Sequence, residues 1–352
     1  INASAMNADD LQGDVRSLKV GGIVGYGGVK NYNVVQHKAD LNIGDGTSAT
    51  NITTQGSQLY TAANRLQHNF KSDADAGGVI YASLGTVGSV YDGQGSSFAA
   101  KVNMNKAQLT AAKSASSGSI QAQAYTQGTL KYENTITDGG FYSGVFNDSY
   151  HDFAYDNAIT TQNSTSLRTA DQKDITLSAW DNTELNLDTY SNSNGAIASA
   201  YAHTTVDLVR NNNISLGAGT KLYGNHDVKL YAGRDLFGNA SQLNLTATAE
   251  AYNHSLIAAG TSPQVYINTF AQNNKLVLDA GSSVDSVHDV YLDAVGGTMN
   301  LDKKAKRYTI WRGNTTSELT EEERATVEAK DNNVTVNGIV TAGIHGGLNL
   351  TI

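Results

Sequence analysis

The sequence predicts an all-β chain, specifically a parallel β-solenoid with one short helical excursion near 317–329. Three observations carry that expectation. A segment repeats at an offset of 62 residues, short stretches alternate apolar and polar residues, and the composition is too thin for an ordinary core.

The repeat comes first, because a fixed period decides the architecture. Ile214-Ser-Leu216-Gly-Ala-Gly-Thr220 matches Leu276-Val-Leu278-Asp-Ala-Gly-Ser282. At the same offset Asn212 matches Asn274, Leu222 matches Val284, and His226-Asp227-Val228 matches His288-Asp289-Val290. Leu230 and Ala232 match Leu292 and Ala294. Leu41-Asn-Ile43-Gly-Asp-Gly-Thr47 copies the first half, and Ile175-Thr-Leu177, Leu185-Asn-Leu187 and Val334-Thr-Val336-Asn-Gly338 are weaker relatives. Apolar–polar–apolar followed by Gly, Ala, Asp or Ser is a short strand followed by a turn.

A second class of segment alternates small residues, as in Ile120-Gln-Ala-Gln-Ala-Tyr125, Ile197-Ala-Ser-Ala-Tyr201 and Leu245-Thr-Ala-Thr-Ala249. Small side chains at every second position fit a narrow interior. Coils of about 20–25 residues would stack at the spacing of any sheet, giving about 14–17 coils and a rod roughly 70–80 Å long. A β-sandwich array needs longer strands, and a propeller repeats at roughly 40–50 residues, so both rank behind the solenoid.

The composition agrees. The 352 residues include 35 Gly, 1 Pro, no Cys and 18 Tyr; 39% are hydrophobic and 16% charged. Ordinary domains carry about 45–50% apolar and about 25% charged residues. A thin column stabilised layer by layer tolerates that deficit, whereas disorder usually combines low hydrophobicity with high net charge. Without cysteine there is no disulfide framework, thiol nucleophile or thiolate metal site. No apolar run approaches the roughly 18 residues of a membrane-spanning helix. A net charge of -9 argues against a nucleic-acid footprint.

Residues 301–330 break the pattern. Lys303, Lys304, Lys306 and Arg307 form a basic cluster, and Thr320 followed by Glu323 fits a capping box. A helix over 317–329 is the expectation, as a partner-binding knob, an edge cover or a plain insertion. Val334-Thr-Val336 resumes the strand pattern.

Candidate chemistry is sparse. No GxSxG elbow, phosphate loop, HExxH or calcium nonapeptide occurs, and no cofactor is expected. Asp73 with Asp75, and Asp152 with Asp156 beside His151, are the best carboxylate candidates for glycoside chemistry, which requires two carboxyls at a fixed separation. Neither spacing is specific. His226-Asp227 and His288-Asp289 recur within the repeat, which points to a turn role, and the eight His show no clustering, so no metal site is expected. Asn-x-Ser/Thr triplets such as Asn51, Asn239 and Asn333 are expected by chance in so Asn-rich a chain. The stretch 141–155 is dense in rings: Phe141, Tyr142, Phe146, Tyr150, Phe153 and Tyr155. Rings beside Asp148, Asp152 and Asp156 suit a sugar-binding surface or a loop packed on the rod.

The Leu41-to-Gly46, Ile214-to-Ala232 and Val334-to-Gly338 segments resemble, in repeat texture, filamentous haemagglutinin-like and leukotoxin-type large filamentous adhesins of bacterial surfaces. That resemblance implies a right-handed β-helical fibre, secreted to the bacterial cell surface, that binds a host or bacterial cell-surface receptor or glycan. It carries no functional residues over, because no functional motif is matched. The chain starts without Met and ends in mid-strand by pattern, so the expectation is one solenoid over 1–352 that belongs to a longer chain or an end-to-end homopolymer. A polysaccharide-active β-helical enzyme and a passive spacer are the competing expectations.

Overall fold

The computed structural model describes residues 1–20, 22–112, 118–311, 315–320, 328–343 and 346–351. Among the described residues there are twenty-one strands and no helix.

The strands fall into successive layers. The first holds β1 (Asn2–Val20), β2 (Val24–Tyr32), β3 (Gln36–Ile43) and β4 (Thr50–Thr54). The second holds β5 (Gln58–Gly77), β6 (Ile80–Gly88), β7 (Ser96–Asn105) and β8 (Ala107–Ala111). In the third, β9 (Ile120–Gln162) runs unbroken before β10 (Ser166–Arg168). The fourth repeats this with β11 (Ile175–Leu216) and β12 (Lys221–Gly224). The fifth holds β13 (Val228–Ala232), β14 (Gln242–Leu278) and β15 (Ser283–Ser286). The sixth holds β16 (Val290–Ala294), β17 (Thr298–Trp311), β18 (Thr315–Thr320), β19 (Glu328–Val336) and β20 (Ile339–Thr341), and β21 (Leu348–Thr351) starts a seventh.

Each layer pairs in parallel with the next. Ile120 lies beside Ile175, Ile175 beside Val228, and Val228 beside Val290. The displacement between stacked residues ranges from 53 at Asp174 and Asp227 to 62 at Asp227 and Asp289. The chain therefore returns beside itself once per layer. The 62-residue offset seen in the sequence is one full layer, not several coils. The expected coil of about 20–25 residues is too short, because the alternating segments within one repeat lie on different faces of the same layer. Six layers at about 4.8 Å stack to roughly 30 Å rather than 70–80 Å.

One apolar core draws on three segments of each layer. One face carries Ile120, Ala122 and Ala124, a second Ile159, and the third, a six-stranded parallel sheet, Leu109, Leu167, Leu222 and Val284. Beyond it two arms extend, facing each other around a second core that includes Leu130, Tyr132, Phe153, Leu185, Leu187 and Leu208. Farther out the space between the arms narrows and its lining turns polar. Asn134 Nδ2 approaches Ser149 Oγ at 3.3 Å, Thr204 Oγ1 donates to Thr189 Oγ1 at 2.7 Å, and Ser143 and Ser193 share a 2.6 Å contact. The abundant Ser, Thr and Asn line this thin interior, with Ile136 and Val145 buried among them.

Strand alternation shows where the arms turn. In β11 the buried positions are odd from Ala179 to Ser193 and even from Ala198 onward. The parity flips at Asn194-Gly195-Ala196, the apex of the arch. The turn of the long repeat is set by Gly219 and Gly281, whose φ values of 78° and 86° favour glycine, which explains their recurrence at one offset.

Identical polar residues stack through the core. Asn157 Nδ2 donates to Asn212 Oδ1 at 3.0 Å, Asn212 Nδ2 to Asn274 Oδ1 at 3.0 Å, and Asn274 Nδ2 to Asn332 Oδ1 at 2.8 Å. Substituting Asn212→Leu leaves buried amide groups on both sides without partners. The expected loss is about 1–3 kcal/mol in a urea titration. Asn42→Ala, which removes the exposed Asn103–Asn42 bond, should cost less than about 0.5 kcal/mol.

The expected helix near 317–329 is not seen. Residues 315–320 form β18, which pairs antiparallel with β17 from Lys306↔Thr320 to Trp311↔Thr315. Residues 328–329 open β19, and 321–327 lie outside the described residues. The β-branched Thr315, Thr316 and Thr320 favour extended backbone, and the neighbouring strand satisfies its backbone groups directly.

Candidate binding surface on the arch

The aromatic stretch of β9 is sorted by parity. Phe153 and Tyr155 share the odd, inward parity of Val145 and His151, and both are fully buried in the arm core. Neither belongs to a surface. Phe146 and Tyr150 have the opposite parity, and with Phe141 and Tyr142 at the apex they are exposed.

The register multiplies this exposure. Val24 pairs Ile80, Ile80 pairs Tyr142, Tyr142 pairs Ile197, and Ile197 pairs Ile257. The residues just before them are Ile23, Val79, Phe141, Ala196 and Leu256. Ile23, Val79, Phe141 and Leu256 are all more than half exposed. Five layers thus present an apolar crest along the arch apex. A chain carries scattered exposed apolar residues without consequence, but a contiguous patch marks an interaction site.

Beside the crest, the outward face of the second arm is aromatic and acidic. Phe146 stacks on Tyr201 at 4.6 Å and 7°. The Tyr150 hydroxyl donates to Asp207 Oδ2 at 2.9 Å, and His203 Nδ1 lies 3.0 Å from Asp148 Oδ1. Burial, aided by Asp207, pushes the Tyr150 hydroxyl up to about 12. Burial, then the charge of Asp207, raises the carboxyl of Asp152. Tyr32 and Tyr91 meet at 5.4 Å and, with Val34 and Gln94, line an open depression at the end of this arm.

No protein-family model matches the chain. No curated protein and no solved structure matches it.

The carboxylate candidates do not converge. Asp73 lies on β5 beside Lys71 Nζ at 3.6 Å and Arg16 Nε at 3.9 Å, with Asp75 two residues on. Asp156 lies on β9, 2.5 Å from Lys101 Nζ. His151 is enclosed between Phe153, stacked at 5.9 Å, and Tyr132, edge-on at 4.9 Å. Burial drives its pKa down to about 3. It is a core imidazole, turned away from the Asp152 and Asp156 side.

The basic cluster is likewise divided by parity. Lys304 and Lys306 reach Asp302 Oδ2 at 2.5 Å and Glu250 Oε1 at 3.7 Å. Lys303 and Arg307 share the parity of buried Met299 and Ala305 and pair with Ala247 and Ala251 of β14. The four cations do not form a single patch.

The His-Asp pairs of the repeat build a corner ladder. Asp174 Oδ1 accepts from the backbone N–H of Asp227, Asp227 Oδ1 from that of Asp289, and Asp289 Oδ1 from that of Gly347, at 3.1, 3.2 and 2.6 Å. His226 stacks on His288 at 4.9 Å, each with Nδ1 on a carboxylate of the layer below. The hydrogen bond that His288 donates to Asp227 raises its pKa, and the Gly347 N–H holds the Asp289 carboxyl down.

Sequence reading missed a second histidine cluster. Asp9, His37 and His68 come from β1, β3 and β5 and meet between the arms. Their separations of 28 and 31 positions carry no local signal, and only the layer register brings them together.

Proposed function

We propose that this chain is a structural and adhesive segment of an extracellular bacterial surface filament. Its layers form the closed coils of a single parallel β-solenoid over 1–352, and its arch crest docks on a cell-surface receptor or glycan. The apolar crest in register over five layers is the observation that carries the reading. Apolar side chains lose contact with water only when a partner covers them, so a patch of this size gains free energy on docking. The flanking rings and carboxylates suit the apolar faces and hydroxyls of sugars. A right-handed coil follows from the usual hand of parallel crossovers.

The test is saturable binding of the purified chain to cells and to a glycan panel. The combined Phe141→Ser, Tyr142→Ser and Phe146→Ser variant is expected to bind at least about tenfold more weakly, since anchors of this kind each contribute more than about 1 kcal/mol. Its melting temperature should stay near that of the parent, because the three side chains are exposed. No saturable binding by the parent would leave the chain a passive spacer, and equal binding by parent and variant would contradict the crest as the docking surface. Release of sugar products from a polymer would favour the enzymatic reading.

A further inference from the structure

We propose that Asp9, His37 and His68 form a binding site for a divalent transition-metal ion of the zinc class. The three side chains come from three strands and converge on one point. His68 Nε2 lies 2.9 Å from Asp9 Oδ2, and His37 Nε2 lies 3.2 Å from the same oxygen. All three ligand atoms lie within 4.8 Å of one another. Ligands on a tetrahedral zinc, with bonds near 2.0–2.1 Å, sit about 3.3 Å apart, so small adjustments would admit the ion. Two imidazoles and a carboxylate match the borderline preference of zinc, and the fourth position is left to water.

The surroundings prepare the donors. His68 is fully buried, whereas the side chains of Asp9 and His37 are 17% and 18% exposed, leaving a path for the ion. His68 Nε2 and Asp9 Oδ2 meet in a 2.9 Å hydrogen bond, while Asp9 Oδ1 and His68 Nδ1 are buried without a partner, so part of the bonding capacity of this group is unused. Phe70 and Phe98 pack at 5.8 and 6.0 Å from its ring and fix its orientation. The corner cluster of His226, Asp227 and His288 differs. There Lys229 Nζ lies 3.2 Å from Asp227 Oδ2, and the Asp289 backbone N–H occupies Oδ1, so the carboxylate is already neutralised and saturated.

The experiment is calorimetric titration of the whole chain, freed of any affinity tag, with zinc chloride. Cobalt(II) absorption in the visible supplies a spectroscopic readout. The parent should bind one ion per chain, show cobalt d–d bands and gain thermal stability in excess zinc. Asp9→Asn and His37→Gln each target a partly exposed ligand, so folding is preserved. Each should weaken binding at least tenfold and lose the cobalt bands, while His226→Gln with His288→Gln should leave both unchanged. Absence of binding by the parent would overturn the proposal. So would parent-like binding by Asp9→Asn and His37→Gln, or loss of binding in the corner variant.

Discussion

Replacing Arg210 with Ala should destabilise the chain by about 3–5 kcal/mol, measured as a drop in the urea midpoint. Arg210 and Asp181 are both fully buried, and they face each other across the layer. The Arg210 Nε donates to Asp181 Oδ2 at 2.6 Å, and Nη2 donates to the same oxygen. Asp181 Oδ1 also accepts from Asn212 Nδ2 at 2.9 Å, which ties the pair to the asparagine ladder. Removing the guanidinium strands a carboxylate away from water. The double variant Arg210→Met with Asp181→Leu should recover most of the loss, since a well-packed apolar pair often equals a buried ion pair. A loss confined to below about 1 kcal/mol in Arg210→Ala would show that this interior is wet.

His151 should make the fold acid-sensitive. Its folded pKa is pushed down to about 3 by burial, whereas an unfolded histidine titrates near 6.5. Above about 6.5 both states are neutral and the imidazole contributes no penalty. As pH falls from about 6.5 toward 3, only the unfolded chain takes the proton, and stability drops by about 1.4 kcal/mol per pH unit. Asp138, buried near the arch apex, works in the opposite sense. Burial raises its carboxyl to about 6, against the partial relief of the Gly144 N–H. Its folded form holds a proton that the unfolded chain releases, so its contribution is greatest below about 4 and lost as pH rises through 6. Between about 4 and 6 the two slopes nearly cancel in the parent. The informative comparison is therefore His151→Phe against parent. The stability difference in favour of the variant should widen steadily from pH 6.5 to pH 4, and a pH-independent difference would contradict a buried neutral His151.

The parallel all-β character was legible because stacked layers repeat what each position needs. Asn212 and Asn274 share a ladder, and Gly219 and Gly281 share a positive-φ turn. The coil length was not legible. Alternation reports which side chains face inward but not where the chain bends, so nothing local shows that Leu216 and Leu222, six positions apart, lie on two faces of one layer. The division of the aromatic stretch was available in its parity: Phe153 and Tyr155 alternate with Asp152 and Ala154, in phase with buried Val145. The helix signal over 317–329 rested on Thr320 and Glu323 spacing, and spacing alone cannot weigh the waiting edge of β17. The crest and the Asp9, His37 and His68 cluster both depend on register across layers, which no local window contains.

The central claim is that residues one layer apart stack in parallel from β1 to β21, β18 excepted. Because the protein has no cysteine, a pair can be placed without background. Ser215 and Val277 are register partners on β11 and β14, 62 positions apart and facing outward. Ser215→Cys with Val277→Cys should cross-link rapidly and intramolecularly with a short bismaleimide in the folded protein and lose that reactivity in urea. Failure of this pair to cross-link in the folded chain would contradict the stacked-layer architecture.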